Sequence, residues 1–172
     1  MAFDAYLFID TIDGESTAEF ATKPNGMSKT PMDIYSYSFG ASNPTSLGSG
    51  TGGASAGRVS VSSLNIMKKS DNASPLLFEA CATGQHFAKA TLVLRKAGGK
   101  DNKQQIFLQY DLEQVFVESI QWSGSSGGDD TPTESLSLAF GKVSITNFKQ
   151  DKEGKVAKGN GALWDLRTHQ AA

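Results

Sequence analysis

Apolar and polar residues alternate with a period of two along most of this chain, the pattern of strands with one buried face. In residues 3–12, Phe3, Ala5, Leu7 and Ile9 share one face, and Asp4, Tyr6, Phe8 and Asp10 share the other. Residues 34–40 set Tyr35, Tyr37 and Phe39 against Ser36 and Ser38, giving one aromatic face and one small, polar face. Residues 58–68 begin with Val59 and Val61 in one phase and continue with Leu64 and Ile66 in the other. This predicts a β-bulge or a change of packing face near Ser62-Ser63. Leu92 and Leu94 are in phase within residues 90–96, as are Leu136, Leu138 and Phe140 within 134–148. Residues 105–122 are too long for one straight strand. Ile106, Leu108, Tyr110 and Leu112 hold one phase and Val115 and Val117 the other, so a bend is expected near Glu113-Gln114.

One segment breaks the alternation. Asp71-Asn72-Ala73-Ser74-Pro75 leads into Leu76-Leu77-Phe78-Glu79-Ala80-Cys81-Ala82-Thr83-Gly84, which predicts a helix over about 74–83. Ser74 is the expected cap, Pro75 suits the first helical position, and Gly84 can adopt the left-handed conformation that ends the helix. Between the strands, Asp13-Gly14-Glu15-Ser16 is a turn, and 17–33 is irregular, with Pro24, Gly26 and Pro31 as breakers. Residues 41–57 form a Gly/Ser/Thr loop longer than ordinary connections, and 123–130 form a second Gly/Ser-rich loop. Residues 149–161 are polar and read as a connector within a C-terminal tail, 149–172. Ala162 to Leu166 is a small apolar knot that should dock. Many strands and one helix predict a mainly β fold, a small β-barrel of two packed antiparallel sheets with one flanking α-helix.

The chain has 172 residues, the length of a single domain spanning 1–172. Its net charge of −2 supplies no basic field for nucleic acid. No apolar stretch approaches the roughly 18 residues of a membrane helix, so no membrane insertion is expected. Met1-Ala2-Phe3-Asp4 has no basic n-region of a signal peptide. Cys81 is the one cysteine, so no internal disulfide can form, as suits a reducing compartment.

Candidate chemistry is sparse. Cys81 and His86 could be nucleophile and base, but at five residues apart on a helix they face different ways, and Cys81 reads as a small core residue beside Leu77 and Ala80. His86 and His169 lack metal-ligand spacing, so no metal and no cofactor is expected. Gly48, Gly50, Gly52 and Gly53 suggest a phosphate cradle, but no Gly-Lys-Ser/Thr follows. Asp129-Asp130 and Asp111/Glu113 read as solvated charges. The chain is therefore not expected to be an enzyme. The serine face of 34–40 is either an ordinary exposed face or the wall of an aqueous channel.

Residues 69–86 resemble the Hcp family, the hemolysin-coregulated proteins of type VI secretion, in the run Asp-x-Ala-Ser-Pro-x-Leu-x-x-Ala-Cys-Ala-Thr-Gly-x-His. Further matches fall in order: Phe3-Asp4-Ala5-Tyr6-Leu7, Gly14-Glu15-Ser16, Ser38-Phe39-Gly40, Ala56-Gly57-Arg58-Val59, Arg95-Lys96-Ala97-Gly98-Gly99, Phe140-Gly141-Lys142-Val143 and Trp164-Asp165. Two features depart from the family: 17–33 is longer, and Phe39 stands where the family usually has Trp.

The resemblance implies a structural subunit made in the bacterial cytoplasm and exported by the type VI apparatus without a signal peptide. It implies homo-hexameric rings that stack into a tube, tipped by the VgrG spike protein, driven by a contractile sheath and able to carry secreted effectors. On that reading, Leu47, Gly48, Ser49, Gly50, Thr51, Gly52 and Gly53 become a contact between subunits or rings, and Ser36 and Ser38 a lumen surface that touches effectors. The alternative is a monomeric β-barrel binding module for a small ligand. A Cys81-dependent hydrolase is a third reading.

Overall fold

The computed structural model describes residues 3–46, 55–97, 104–128, 130–152 and 156–171. Among these residues β1 (Asp4–Ile9) is followed by the short strands β2 (Met32–Ile34), β3 (Ser36–Ser38), β4 (Ala41–Ser42), β5 (Thr45–Ser46), β6 (Ser55–Ala56) and β7 (Ser60–Val61). Next come β8 (Leu64–Lys69) and α1 (Ser74–Thr83). Four long strands complete the chain: β9 (His86–Ala97), β10 (Gln104–Ser123), β11 (Thr133–Gln150) and β12 (Val156–Asp165). Eight strands make one antiparallel sheet in the order β2-β1-β9-β10-β11-β8-β3. In it, β8 pairs with the first part of β11 and β12 with the last.

The sheet closes because its two end strands are successive pieces of one segment, 32–38. The first piece pairs with β1, Met32 opposite Leu7, and the second with β8, Ser36 opposite Met67. Between them the Tyr35 N–H donates to the Met67 carbonyl at 2.8 Å. The expected small barrel is thus one sheet curled on itself, with α1 against it. The switch of partner corrects the even alternation read for 34–40. Ile34 is buried, Tyr35 turns outward at 64% exposure, and Tyr37 and Phe39 pack half-buried on the core. Residues 41–46 and 55–61 form an arm, β4 paired with β7 and β5 with β6.

The core follows the alternation. Leu7, Ile9, Met32, Leu64, Ile66, Leu92, Leu112, Leu136 and Leu138 are almost wholly buried in one cluster. Near the middle of the longest strands the phase shifts from Leu112 to Val115 and from Phe140 to Val143. The expected bend lies there: Gln114 takes a left-handed φ of +53°. Its Oε1 would stand 2.7 Å from a Cβ on Gly141, so glycine leaves room for the bent strand.

Tyr6 and Phe8 point out of the barrel yet are buried. Irregular residues 17–27 cross the outer face of β1 and β9 and bring Phe20 and Met27 onto Tyr6, Phe8 and Val93. The Phe20 ring meets Tyr6 and Phe8 edge-on at 5.4 and 5.1 Å. Asn25 donates to Thr91 Oγ1 at 3.3 Å, and Thr91 donates to Asp111 at 2.8 Å. The longer 17–33 segment therefore serves as a strap over a second, smaller core.

Helix α1 presents Ala73, Leu77 and Ala80 to the main core, one stripe at helical spacing. Its end is as expected: Gly84 has φ +71° and its N–H donates to the Ala80 carbonyl. The start differs. Ser74 is not the cap but the first helical residue. Asp71 Oδ1 accepts the Ala73 N–H, and Ser74 Oγ accepts the Asp71 N–H, both at 3.0 Å. This is close to the reciprocal arrangement of a capping box, with Asp71 accepting from the second rather than the third residue after it; Ala73, directly before the helix, makes no side-chain cap bond.

That cap is tied to a buried ion pair. Lys68 and Glu134 are both fully buried, Nζ to Oε1 at 2.9 Å. Lys68 also meets Asp71 Oδ1 at 2.6 Å and donates to Ser74 Oγ at 3.2 Å. Glu134 Oε2 accepts from Trp122 Nε1 at 2.8 Å and from Ser70 at 3.3 Å. The network joins β8, β10, β11 and the helix start and sets each buried charge against an opposite one; Glu134 Oε1 meets Lys68 by proximity alone, without hydrogen-bond alignment.

At the other end, the 149–161 connector is mostly strand, because β11 runs to Gln150 and β12 begins at Val156. Trp164 and Leu166 dock half-buried on the core, as expected of the apolar knot. Asp165 accepts from Arg167 Nη2 at 2.8 Å and from the Arg167 and Thr168 N–H groups. Arg167 above all, helped by those amides, holds the Asp165 carboxyl well below the usual carboxylate range.

Replacing one member of a buried pair strands the other charge, at a cost of about 3–5 kcal/mol. Glu134→Gln should destabilise the barrel by about 3 kcal/mol in urea melts, the lower end because Asp71 still faces Lys68. The double variant Lys68→Met/Glu134→Leu should regain a large part of the loss. An unchanged midpoint in Glu134→Gln would show that the pair is not a constraint. For Asp165 the folded pKa is depressed, so its contribution is present above the ordinary value of about 4 and is lost as pH falls through the folded value. The gap in melting temperature between the native chain and Asp165→Asn should be constant from pH 8 to about 5 and close in strong acid. A gap that widens in acid contradicts this.

Candidate functional site

The serine face extends well beyond Ser36 and Ser38. Both are exposed on β3, and strand register continues their rows across the sheet. One row runs Ser38, Asn65, Ser137, Ser119, and the other Ser36, Met67, Ser135, Gln121. The alternate positions, Tyr37, Ile66, Leu136 and Ile120, belong to the core. At the usual strand spacing, four strands make a band about 15 Å wide. Seven of its eight side chains are neutral and polar, and the eighth, Met67, is 45% exposed.

Two charges stand at the edges of this band: Lys69, the next outward residue on β8 after Met67, with its Nζ 5.8 Å from the Tyr35 ring centre, and Glu118. Glu118 is the extra residue where the β10–β11 register slips. Its Oε2 accepts from Ser63 at 2.7 Å and Ser137 at 3.2 Å. The face therefore offers hydroxyls and amides that exchange readily with water, with no nucleophile–base pair and no cluster of one charge sign.

The other sequence candidates do not assemble into a site. Cys81 is half-buried against the core, while His86 is exposed with its ring 5.5 Å from that of Phe116. Cys81 is less fully enclosed than Leu77 and Ala80, with which it was grouped. His169 contacts Arg58, which ties the C-terminal turn to the arm. Asp111 is held by Thr91 and by the Gln109 amide at 2.8 Å, and Glu113 lies 3.8 Å from Lys142. Among the described residues, no three His, Cys, Asp or Glu side chains are grouped to hold a metal. Residues Leu47, Gly48, Ser49, Gly50, Thr51, Gly52 and Gly53, proposed as a contact loop, lie outside the described residues, as does Asp129.

Sequence reasoning missed the Lys68–Glu134 pair. The signal was present: Lys68 is in phase with Leu64 and Ile66, and Glu134 with Leu136 and Leu138. A charge at a core-phase position on each of two strands is a candidate buried pair.

Residues 6–146 match the family model described as "Type VI secretion system effector, Hcp". Over 118 residues the chain is 35% identical to Protein hcp1 of Pseudomonas aeruginosa, covering 67% of this chain and 70% of that protein. A solved structure described as a type six secretion system protein superposes with a TM-score of 0.87 at 32% identity, covering 99% of this chain and all of the other. Hcp1 from Salmonella typhimurium superposes over the full length of both chains with a TM-score of 0.73 at 28% identity. With motifs in order, a matching barrel and a family match over most of its length, the chain belongs to the Hcp family of type VI secretion proteins.

Proposed function

We propose that this protein is a non-enzymatic structural subunit of the type VI secretion tube, with six copies closing into a ring and rings stacking end to end. The observation that carries this reading is the neutral polar band over β3, β8, β11 and β10. A solvated face of small hydroxyls and amides, backed by a dry core, suits the wall of an aqueous bore. It can hydrogen-bond a passing protein and let it go, because each such bond trades against one to water and nets only about 1 kcal/mol. A charged or strongly apolar wall would hold its cargo.

Head-to-tail contact closes into a ring when the rotation permits, and stacked rings make a filament. The arm over 41–61 and the Leu47 to Gly53 loop that it carries are the parts we assign to contact with the neighbouring subunit or ring. The VgrG spike, the contractile sheath and secreted effectors are the partners implied. Among the described residues, no helix is long and apolar enough to cross a membrane, consistent with a protein exported from the bacterial cytoplasm through the apparatus.

Light scattering at tens of micromolar should give about six times the 18.2 kDa chain mass, and negative-stain images should show rings with a hole. A strict monomer would overturn the reading in favour of a ligand-binding barrel. Ser36→Arg/Ser38→Arg should keep the ring mass and change which secreted proteins co-purify. Loss of the ring instead would make this face an interface rather than a bore. Deleting Gly48 to Gly53 should leave the melting temperature within a few degrees, since Gly/Ser-rich connections tolerate change, and should weaken stacking. Undiminished stacking would remove the loop from the interface.

A further inference from the structure

The strap over 17–27 leaves an open pocket of about 690 Å³ between itself and the barrel, lined by Tyr6, Glu19, Phe20, Lys23, Arg95 and Gln104 among others. This size is within the range of sites for small organic ligands. Arg95 is buried to 9% exposure. Its guanidinium lies 4.3 Å from the Phe20 ring centre and 5.3 Å from that of Tyr6. Among the described residues its one hydrogen bond goes from Nη1 to the Glu19 carbonyl, at 3.1 Å. A guanidinium has five donor hydrogens, and a buried cation ordinarily faces an anion. Asp4, opposite Arg95 in the β1–β9 register, accepts instead from the Gln104 amide.

We propose that this pocket binds a small carboxylate with a flat apolar body, with the Arg95 guanidinium as its anion partner and the Tyr6 and Phe20 rings as its wall. The fork of a guanidinium matches the two oxygens of a carboxylate. Tyr6 remains a hydroxyl donor, because burial above all, and then the Asp4 charge, raise its pKa above the ordinary value of 10.0. The charge around the pocket selects a monoanion. Lys23 is engaged with the Ser28 carbonyl at 2.6 Å, and the exposed Glu19 and Asp4 carboxylates oppose a second negative charge. The inference concerns the face under the strap and goes beyond the proposed tube role.

The test is an NMR titration of the full chain, following the Tyr6 and Phe20 ring signals, with sodium benzoate, N-acetylphenylalanine and inorganic phosphate as probes. Benzoate or N-acetylphenylalanine should shift these signals saturably, and Arg95→Met, which keeps a long apolar stem over Phe20, should weaken binding at least about tenfold. Glu19→Gln should tighten it several-fold by removing the opposing charge. Stronger binding of N-acetylphenylalanine assigns the C-terminus of a peptide as the source of the carboxylate, and stronger binding of benzoate assigns a free acid. No saturable shift, equal affinity in Arg95→Met, or phosphate binding as tightly as benzoate would overturn the proposal. Should Arg95→Met fail to fold, an unchanged affinity in Glu19→Gln overturns it alone.

Discussion

Closure of the sheet by residues 32–38 is the constraint on which the rest of the molecule depends. An open sheet presents a row of unmet N–H and C=O groups at each edge. Here one seven-residue segment serves both edges, pairing first with β1 and then with β8, with the Tyr35–Met67 bond at the crossing. Changing partner in so few residues reverses the side-chain phase between Ile34 and Tyr37, and Tyr35 is turned outward as a result. Closure encloses the core and leaves two differently finished outer faces.

The buried ion pair lies next to this seam. Lys68 is on β8, the strand that receives β3, and Glu134 is directly opposite it on β11. Burying two charges is costly, and a hydrophobic pair is often at least as stable. What the pair adds here is direction. Lys68 reaches Glu134, Asp71 and Ser74 together, so the residues that cap α1 are those that satisfy the lysine. The helix cannot shift along the barrel without stranding a charge, whereas an apolar contact between Leu77 and the core would tolerate some sliding.

Much of this was legible in the sequence because it is local. The helix length, its Gly84 stop, the bend at Glu113-Gln114 and the exposed Ser36 and Ser38 follow from residue type and period over a few positions. The family was legible from wording alone. What failed to show was non-local. Asp71 and Ser74 are both good cap residues, and Lys68 favours the earlier cap by engaging both of them. Tyr6 and Phe8 read as the outward face of β1, and nothing near them announces that Phe20 and Met27 return to cover them. Of the candidate site, the two serines were legible, but the band they belong to is assembled by register with β8, β11 and β10. The contact loop from Leu47 to Gly53 rests on the resemblance.

The two outer faces divide the surface by chemistry. Over β1 and β9 the strap adds aromatic rings, a buried guanidinium and a pocket, which together favour a specific ligand. Over β3, β8, β11 and β10 the outward side chains of the serine rows are mostly small and polar, with Met67 the apolar exception and Glu118 and Lys69 the charges at the edges. Binding strength comes from desolvated apolar area and from charges held in place, and that face has little of either. A bore must admit many cargoes and retain none, so weak and numerous hydrogen bonds are the property it requires. The same poverty of strong contacts that makes the serine rows an unpromising active site is what supports our proposal that they line a channel.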